Sequence, residues 1–323
     1  MRPEDDYTHP VGPEPNFNES MYVHFHDPAV GLGGFVRIAN RPNEGRGEVT
    51  VCLFLPDGGL AFSYARPEVR TNERLAAAGM ALRVREPMKH LDVSFSGTVA
   101  RLADPTMMDE PRAALGGSPR VPCTIDLAVR ALAPEFAHSF DTGEGSFAPN
   151  HYEQLHVTVG RIALGDAVVE IHGHGLRDHS WGPRYWQTPW FYRWVHGCTD
   201  GFGFMGAWFG NPDGSAVCGG FVWDGDALVS IDEIRIATRR DGREEQSAVN
   251  LFLRAGDRDW TVRGRALATV PLRNRRPDGA GGHDVTRIVE SLMIWSLDDG
   301  RALHGMAEYL DQIRDGRPVG LQV

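Results

Sequence analysis

Five of the chain's eight tryptophans (Trp181, Trp186, Trp190, Trp194 and Trp208) and four of its thirteen histidines (His172, His174, His179 and His196) fall between Ile171 and Phe209. In an extended chain alternate residues face opposite sides. The run 190–196 therefore sets Trp190, Tyr192, Trp194 and His196 on one face. Residues 197–201 read as a turn, and the returning run 202–208 places Phe202, Phe204 and Trp208 on one face with glycines interleaved. Such a hairpin makes an aromatic wall whose glycines leave room for close approach. An aromatic stripe is a common core element. A plain core, however, prefers Leu, Val and Ile, whereas indoles, a phenol and an imidazole each carry a polar atom that needs a partner. A pocket for a large apolar or cationic guest fits this composition better.

Just upstream, residues 173–184 pack Arg177, Asp178, His179, Ser180, Trp181 and Arg184 between glycines. If this stretch is extended, Arg177 and His179 share one face, and Asp178 and Ser180 the other. An Asp178 aimed into an apolar site would have its pKa raised by desolvation and could protonate a substrate. The alternative is a surface Asp-His turn before the Gly-Pro break.

Other motifs carry less. His24-x-His26 and His172-x-His174 could each present two imidazoles to a metal, with His179 or Glu170 as a third ligand. No Cys cluster or clear facial triad accompanies them, so polar pocket histidines are the preferred reading and no metal is expected. Residues 201–206 match GxGxxG literally, but they sit in an aromatic hairpin rather than between a strand and a helix. There is no Walker A loop and no Gly-x-Ser-x-Gly elbow. Tyr152-Glu153 and Glu308-Tyr309 each set a carboxylate beside a phenol and are secondary candidates, Tyr152 on the binding side. Lys89 is the one lysine, which leaves a single candidate for Schiff-base chemistry. The four cysteines form no CxxC and read as buried apolar thiols. Arg273 to Arg276 reads as a solvated loop.

The elements that must position these residues are short strands. Asp57-Gly58, Asp213-Gly214, Asp224-Gly225, Asp241-Gly242 and Asp298-Asp299-Gly300 punctuate apolar runs such as 49–55, 228–231, 250–253 and 260–262. Asp-Gly between apolar runs is a hairpin signal, because Gly accepts positive φ. The pattern predicts an antiparallel all-β sandwich or barrel. Short helices are expected only at 73–80 and 109–115. The Gly/Ser/acidic stretch 140–150 reads as a linker or long loop. The expected organisation is a flexible N-terminal tail over 1–20, one β domain over 21–165 and a second over 166–323.

The chain's 323 residues suffice for a sizeable core without staples. A net charge of −10 argues against a nucleic-acid binder. No apolar run approaches the ~18 residues of a membrane span. Residues 1–20 lack the basic and apolar regions of a signal peptide. A soluble, cytoplasmic protein is expected, and homodimer formation stays open.

Gly173-x-Gly175-x-Arg177-Asp178-His179-Ser180-Trp181-Gly182-x-Arg184, followed by Trp186, resembles the signature of the carotenoid 1,2-hydratase (hydroxyneurosporene synthase) and AttH-like superfamily. Residues 31–45 and 305–309 resemble segments of a bacterial branch of it. The resemblance implies two lipocalin-like antiparallel β domains, an apolar ligand cavity and no cofactor. Relatives hydrate or cyclise isoprenoids. Asp178, His179 and Trp181 match the signature itself. The expected function is a cofactor-independent acid/base lyase acting on a hydrophobic isoprenoid or aromatic small molecule by hydration, dehydration, cyclisation or C–C cleavage. Asp178, His179, His196 and Tyr192 are the expected catalytic residues. Trp181, Arg184, Trp186, Trp190, Trp194, Phe204, Trp208 and Tyr152 would line the pocket. The alternative is a non-catalytic carrier for a hydrophobic ligand.

Overall fold

A computed structural model describes residues 1–137, 149–185, 189–277 and 282–322. Residues 140–148 of the sequence-expected linker 140–150, and Trp186, lie outside the described residues, and Asn150 already belongs to a strand. The chain divides into two compact units, the first of residues 1–104 and 112–185, the second of 105–111 and 186–323.

The first unit is built from β1 (Phe17–Asp27), β2 (Leu32–Arg41), β3 (Arg46–Phe54), β4 (Leu60–Ala65), β5 (Ala76–Ala77), β6 (Met80–Glu86), β7 (His90–Leu102), β8 (Arg120–Ala131), β9 (Phe136–Ala137), β10 (Asn150–Leu164) and β11 (Ala167–Pro183). They form one antiparallel sheet in the order β4-β3-β2-β1-β11-β10-β8-β7-β6-β5. A further β4–β7 pairing, Leu60 opposite Leu102, curls it back on itself. Closure of this kind removes open strand edges. Its apolar core takes alternate residues of each strand, including Met21, Val23 and Phe25 of β1 and Val36 and Ile38 of β2.

The second unit holds β12 (Phe191–Thr199), β13 (Phe202–Gly210), β14 (Ala216–Trp223), β15 (Leu228–Ser230), β16 (Glu233–Arg240), β17 (Gln246–Ala255), β18 (Arg258–Pro277), β19 (His283–Leu297), β20 (Ala302–Arg314) and β21 (Arg317–Pro318). Its antiparallel order is β15-β14-β13-β12-β20-β19-β18-β17-β16. Val195, Phe204, Val222, Trp295 and Tyr309 belong to its core. The protein is thus all-β with two curled antiparallel sheets, and each of the five Asp-Gly signals falls between consecutive strands.

Several local expectations are corrected. Residues 1–20 are not a loose tail: a 3₁₀ turn spans Pro3–Asp6, Asp5 and Asp6 are buried, and β1 begins at Phe17. The segment is held because Asp6 finds a buried arginine, described below. The expected helix at 73–80 is a β5–β6 hairpin, turned through positive φ at Ala78 and Gly79. The helix near 109–115 exists as α1 (Pro111–Gly117). The sequence reading divides the chain at 165, whereas the units part after Tyr185. Residues 167–183 pair with both β10 and β1, so the first sheet claims them. Arg273–Arg276 lies in β18, not a loop, and Arg273 bonds Glu110 at 3.1 Å. Cys52, Cys123 and Cys198 are buried as expected, but Cys218 is exposed.

Candidate functional site

β11 carries the signature segment as an extended strand, so its side chains alternate. Arg177 lies opposite Val23 and His179 opposite Met21, on the face that runs into the first unit's apolar core. Asp178 lies opposite Tyr22 and Glu153, on the other face. The two glycines ahead of them exist for close strand approach. A Cβ on Gly173 would sit 2.5 Å from the His26 carbonyl oxygen, and one on Gly175 would sit 1.9 Å from that of His24.

On the core face two networks pin the N-terminal segment. The guanidinium of Arg177 donates to Asp6 at 2.8 and 3.2 Å and to Gln154 Oε1 at 2.7 and 2.9 Å. Asp6 also accepts from Tyr152 Oη at 2.5 Å and from the Met88 amide at 2.6 Å. Burial alone would raise the Asp6 carboxyl, but the Arg177 charge and these hydrogen bonds hold it below its ordinary value. Beside it, Glu19 Oε1 accepts from His179 Nε2 and His9 Nδ1, each at 2.8 Å. Glu19 Oε2 accepts from the His9 amide at 2.9 Å and from Asn72 Nδ2 at 2.6 Å. Burial opposes ionisation of Glu19, yet the hydrogen bonds from His179 and His9 hold it down to about 2. Trp181 stacks on His9 with centroids 3.8 Å apart.

On the opposite face, His151 Nε2 lies 3.3 Å from Asp178 Oδ2 and 3.6 Å from Glu153 Oε1. Burial opposes charge on both Asp178 and His151. Their mutual hydrogen bond and the charges around them, Glu153 for His151 and Arg184 and Arg37 for Asp178, together outweigh it, so the acid is lowered and the imidazole raised. Asp178 is therefore held in its ionised form, and its negative charge favours protonation of the imidazole beside it. This overturns the expectation of a neutral Asp178 acting as the acid, because the sequence pattern did not show His151 across the strand pair.

In the second unit Trp194, Glu308 and Glu290 form a row across β12, β20 and β19. Tyr192, two residues along, donates its hydroxyl to Glu308 Oε1 in a short hydrogen bond. Burial first, and then the charge and hydrogen bond of Glu308, raises Glu290 well above the ordinary carboxylate range. Two carboxyls in contact cannot both ionise readily, so the pair favours keeping one proton between them. Glu290 is 4% exposed and Glu308 half-buried, so Glu308 is the member within reach of a guest. His196 shares this face, its ring 5.0 Å from that of Trp194, and burial lowers its imidazole to about 3, which keeps it neutral.

The structure splits the expected aromatic wall. Phe204 is paired with Gly197, and Trp208 with Arg193, on the face opposite Tyr192, Trp194 and His196. Phe204 packs edge-on to Trp295 at 5.4 Å inside the core. The hairpin glycines are filled by the protein's own side chains: a Cβ on Gly206 would meet Ile234 at 2.5 Å, and one on Gly197 would meet Trp295 at 2.6 Å. Phe209, at 5.1 Å from Tyr192, takes the place assigned to Phe204. Trp190 is half-buried under the Arg314 guanidinium at 5.5 Å.

Tyr152, His179 and Trp181 serve the N-terminal networks, and Arg184 supports Asp178. Tyr309, the phenol next to Glu308 in sequence, turns into the core and bonds Thr238 at 2.6 Å; Tyr192 supplies the phenol instead. Lys89 is exposed and paired with Glu86. The His-x-His pairs do not form the metal-sized cluster; among the described residues that grouping is His9, Glu19 and His179. Sequence reasoning missed Asp6, His9, Glu19, His151 and Glu290. Strand alternation could have flagged Glu290, which sits among apolar residues in the run 285–295. The rest carry no local signal.

Two curled antiparallel sheets with buried acid/base groups define the class, and solved structures share its architecture. A candidate AttH from Nitrosomonas europaea is 16% identical, with 94% of this chain and 95% of that one covered and a TM-score of 0.63. Kievitone hydratase from Nectria haematococca is 8% identical, with 95% and 90% covered and a TM-score of 0.54. CghA is 11% identical, with 94% and 90% covered and a TM-score of 0.53. At these identities the likeness is one of fold. Residues 2–313 match the model of a domain of unknown function, DUF7064, and the chain belongs to that family. No curated protein matches it in sequence.

Proposed function

We propose that the protein is an acid/base lyase of hydratase type, acting on a hydrophobic isoprenoid or aromatic small molecule. The observation that carries this reading is the Glu290–Glu308 carboxyl pair, capped by Tyr192 and lying in a row with Trp194. Adding water across an alkene, or removing it, needs a proton donor, a base for water and a surface that tolerates a cation. The protonated Glu290 supplies the proton through its hydrogen bond to Glu308. Glu308 passes that proton to the alkene carbon, then takes one from the water that adds to the cation and returns it to Glu290, while Tyr192 orients the carboxylate. The indole of Trp194 faces developing positive charge with its π cloud. The likeness to kievitone hydratase, a hydratase by name, supports the reaction class. In the first unit, the ionised Asp178 is the base and His151 the donor of a second acid/base set.

The test is product mass. Protein is incubated with terpenoid and lignin-type aromatic compounds in ¹⁸O-labelled water and compared with a boiled control. Labelled water gained means hydration, and water or a one-carbon fragment lost means elimination or cleavage. A new retention time at unchanged mass means cyclisation. Glu290→Gln keeps the hydrogen bond but removes the proton, and should lower kcat about 10²–10⁴-fold. Full turnover in Glu290→Gln and Tyr192→Phe overturns this site. A ligand that quenches tryptophan fluorescence yet leaves unchanged makes the protein a carrier.

A further inference from the structure

A second cluster, on the core face of the first unit, carries chemistry that the proposed reaction does not use. His9 comes from the N-terminal segment, Glu19 from β1 and His179 from β11. His9 Nδ1, Glu19 Oε1 and His179 Nε2 all lie within 4.8 Å of one another. The two nitrogens meet the same carboxylate oxygen, each at 2.8 Å. Two imidazoles and a carboxylate are a donor set suited to zinc and its first-row neighbours.

The surroundings orient these donors as an outer shell does in metal sites. Glu19 Oε2 is occupied by the His9 amide and Asn72 Nδ2, which leaves Oε1 directed between the rings. Asn72 is itself fixed, accepting from Asn40 Nδ2 at 2.9 Å and donating to the His9 carbonyl at 2.8 Å. Trp181 stacks on the His9 ring at an interplanar angle of 8°. The far nitrogen of His9, Nε2, faces Asp5 Oδ1 at 3.8 Å, where the carboxylate can accept a hydrogen bond from the N–H that coordination through Nδ1 leaves on Nε2. Glu19 and His179 are fully buried and His9 is 16% exposed at its side chain, so an ion would enter beside His9.

The geometry points to a divalent transition-metal site formed by His9, Glu19 and His179, which fastens the N-terminal segment to β1 and β11. The ion needs modest separation of the donors, since 2.8 Å is a hydrogen-bond distance and metal–ligand bonds of ~2.0–2.2 Å set donors somewhat further apart. The movable partner is His9, which lies outside the sheet.

The test uses the full chain without an affinity tag, stripped with a chelator and titrated with Zn²⁺ alone against a chromophoric competitor. One equivalent is expected. Asn72→Ala should weaken binding about 10–100-fold, and His9→Ala more than that. Zn²⁺ should raise the melting temperature of the wild type and not of His9→Ala. His9→Cys, which keeps a donor at the half-buried position, should restore binding and give a sulfur-to-cobalt charge-transfer band with Co²⁺. Equal binding by wild type and His9→Ala overturns the site, as does binding lost in His24→Ala or His174→Ala instead. Absence of stoichiometric Zn²⁺ uptake leaves Glu19 as the acceptor of a purely hydrogen-bonded knot and also overturns it. None of these readouts depends on the lyase reaction.

Discussion

Replacing Asp6 with alanine tests whether the first sixteen residues belong to the folded unit. Asp6 is 1% exposed and Arg177 3%. The substitution removes the acceptor for two Arg177 bonds, the Tyr152 hydroxyl and the Met88 amide. Arg177 keeps Gln154, a neutral partner, so its buried charge loses its hydrogen-bonded carboxylate. Breaking a buried pair from one side costs about 3–5 kcal/mol. The orphaned hydroxyl and amide act in the same direction, but they share the network and do not simply add. For a domain of 150–250 residues, roughly 2–4 °C is lost per kcal/mol, so the first unit should melt about 6–20 °C lower. The double variant Asp6→Leu/Arg177→Met removes both charges and should recover much of the loss. Thermal and urea unfolding of the three proteins measure this directly. A loss below about 0.5 kcal/mol in Asp6→Ala, the ordinary size for a surface change, would refute the reasoning and restore a loose tail.

Three further outcomes follow from the same geometry. The His151 imidazole, titrated by NMR, should lie above its ordinary 6.5 in the wild type and drop in Asp178→Asn, and an unchanged value would remove the ion pair. The linkage has two edges. Stability from the raised His151 is present below its unfolded pKa and lost as pH rises through the folded value, and stability from the lowered Asp178 is present above 3.8 and lost as pH falls through its folded value. Gly175→Ala should cost about 3 kcal/mol, because its Cβ would sit 1.9 Å from a backbone oxygen of β1, and an unchanged melting temperature would show that the strands can part cheaply. Glu290 binds a proton when folded that the unfolded chain gives up above 4.5, so its contribution to stability falls as pH rises from that value. Glu290→Gln should flatten this alkaline decline, and parallel wild-type and variant pH–stability curves would show that Glu290 is ordinary.

Much of the architecture was legible in the residue order. Asp-Gly pairs between apolar runs specify tight turns wherever they occur, and they marked five hairpins correctly. Period-two alternation separated Arg177 and His179 from Asp178 and Ser180 before any partner was known. Those signals are local, because the dihedral preference of glycine and the pleat of a strand need no distant neighbour. What alternation left open was which strand would lie alongside. His151 reaches Asp178 only because β10 pairs with β11, and that contact reversed the expected direction of the Asp178 pKa. Glu290 meets Glu308 only in the β19–β20 register, and a one-residue slip would turn one of them into the core. Phe204 and Trp208 left the aromatic face for the same reason: register across β12 and β13, not residue type, decides the side. The N-terminal segment is the plainest case. Its acidic, proline-rich composition reads as solvated, yet Asp6 and His9 are drawn in by Arg177 and Glu19, residues buried in strands that meet only once the first sheet has formed. Local chemistry determined the elements and their faces; the pairing of distant strands decided which charged groups met, and so which of them could act as acid, base or ligand.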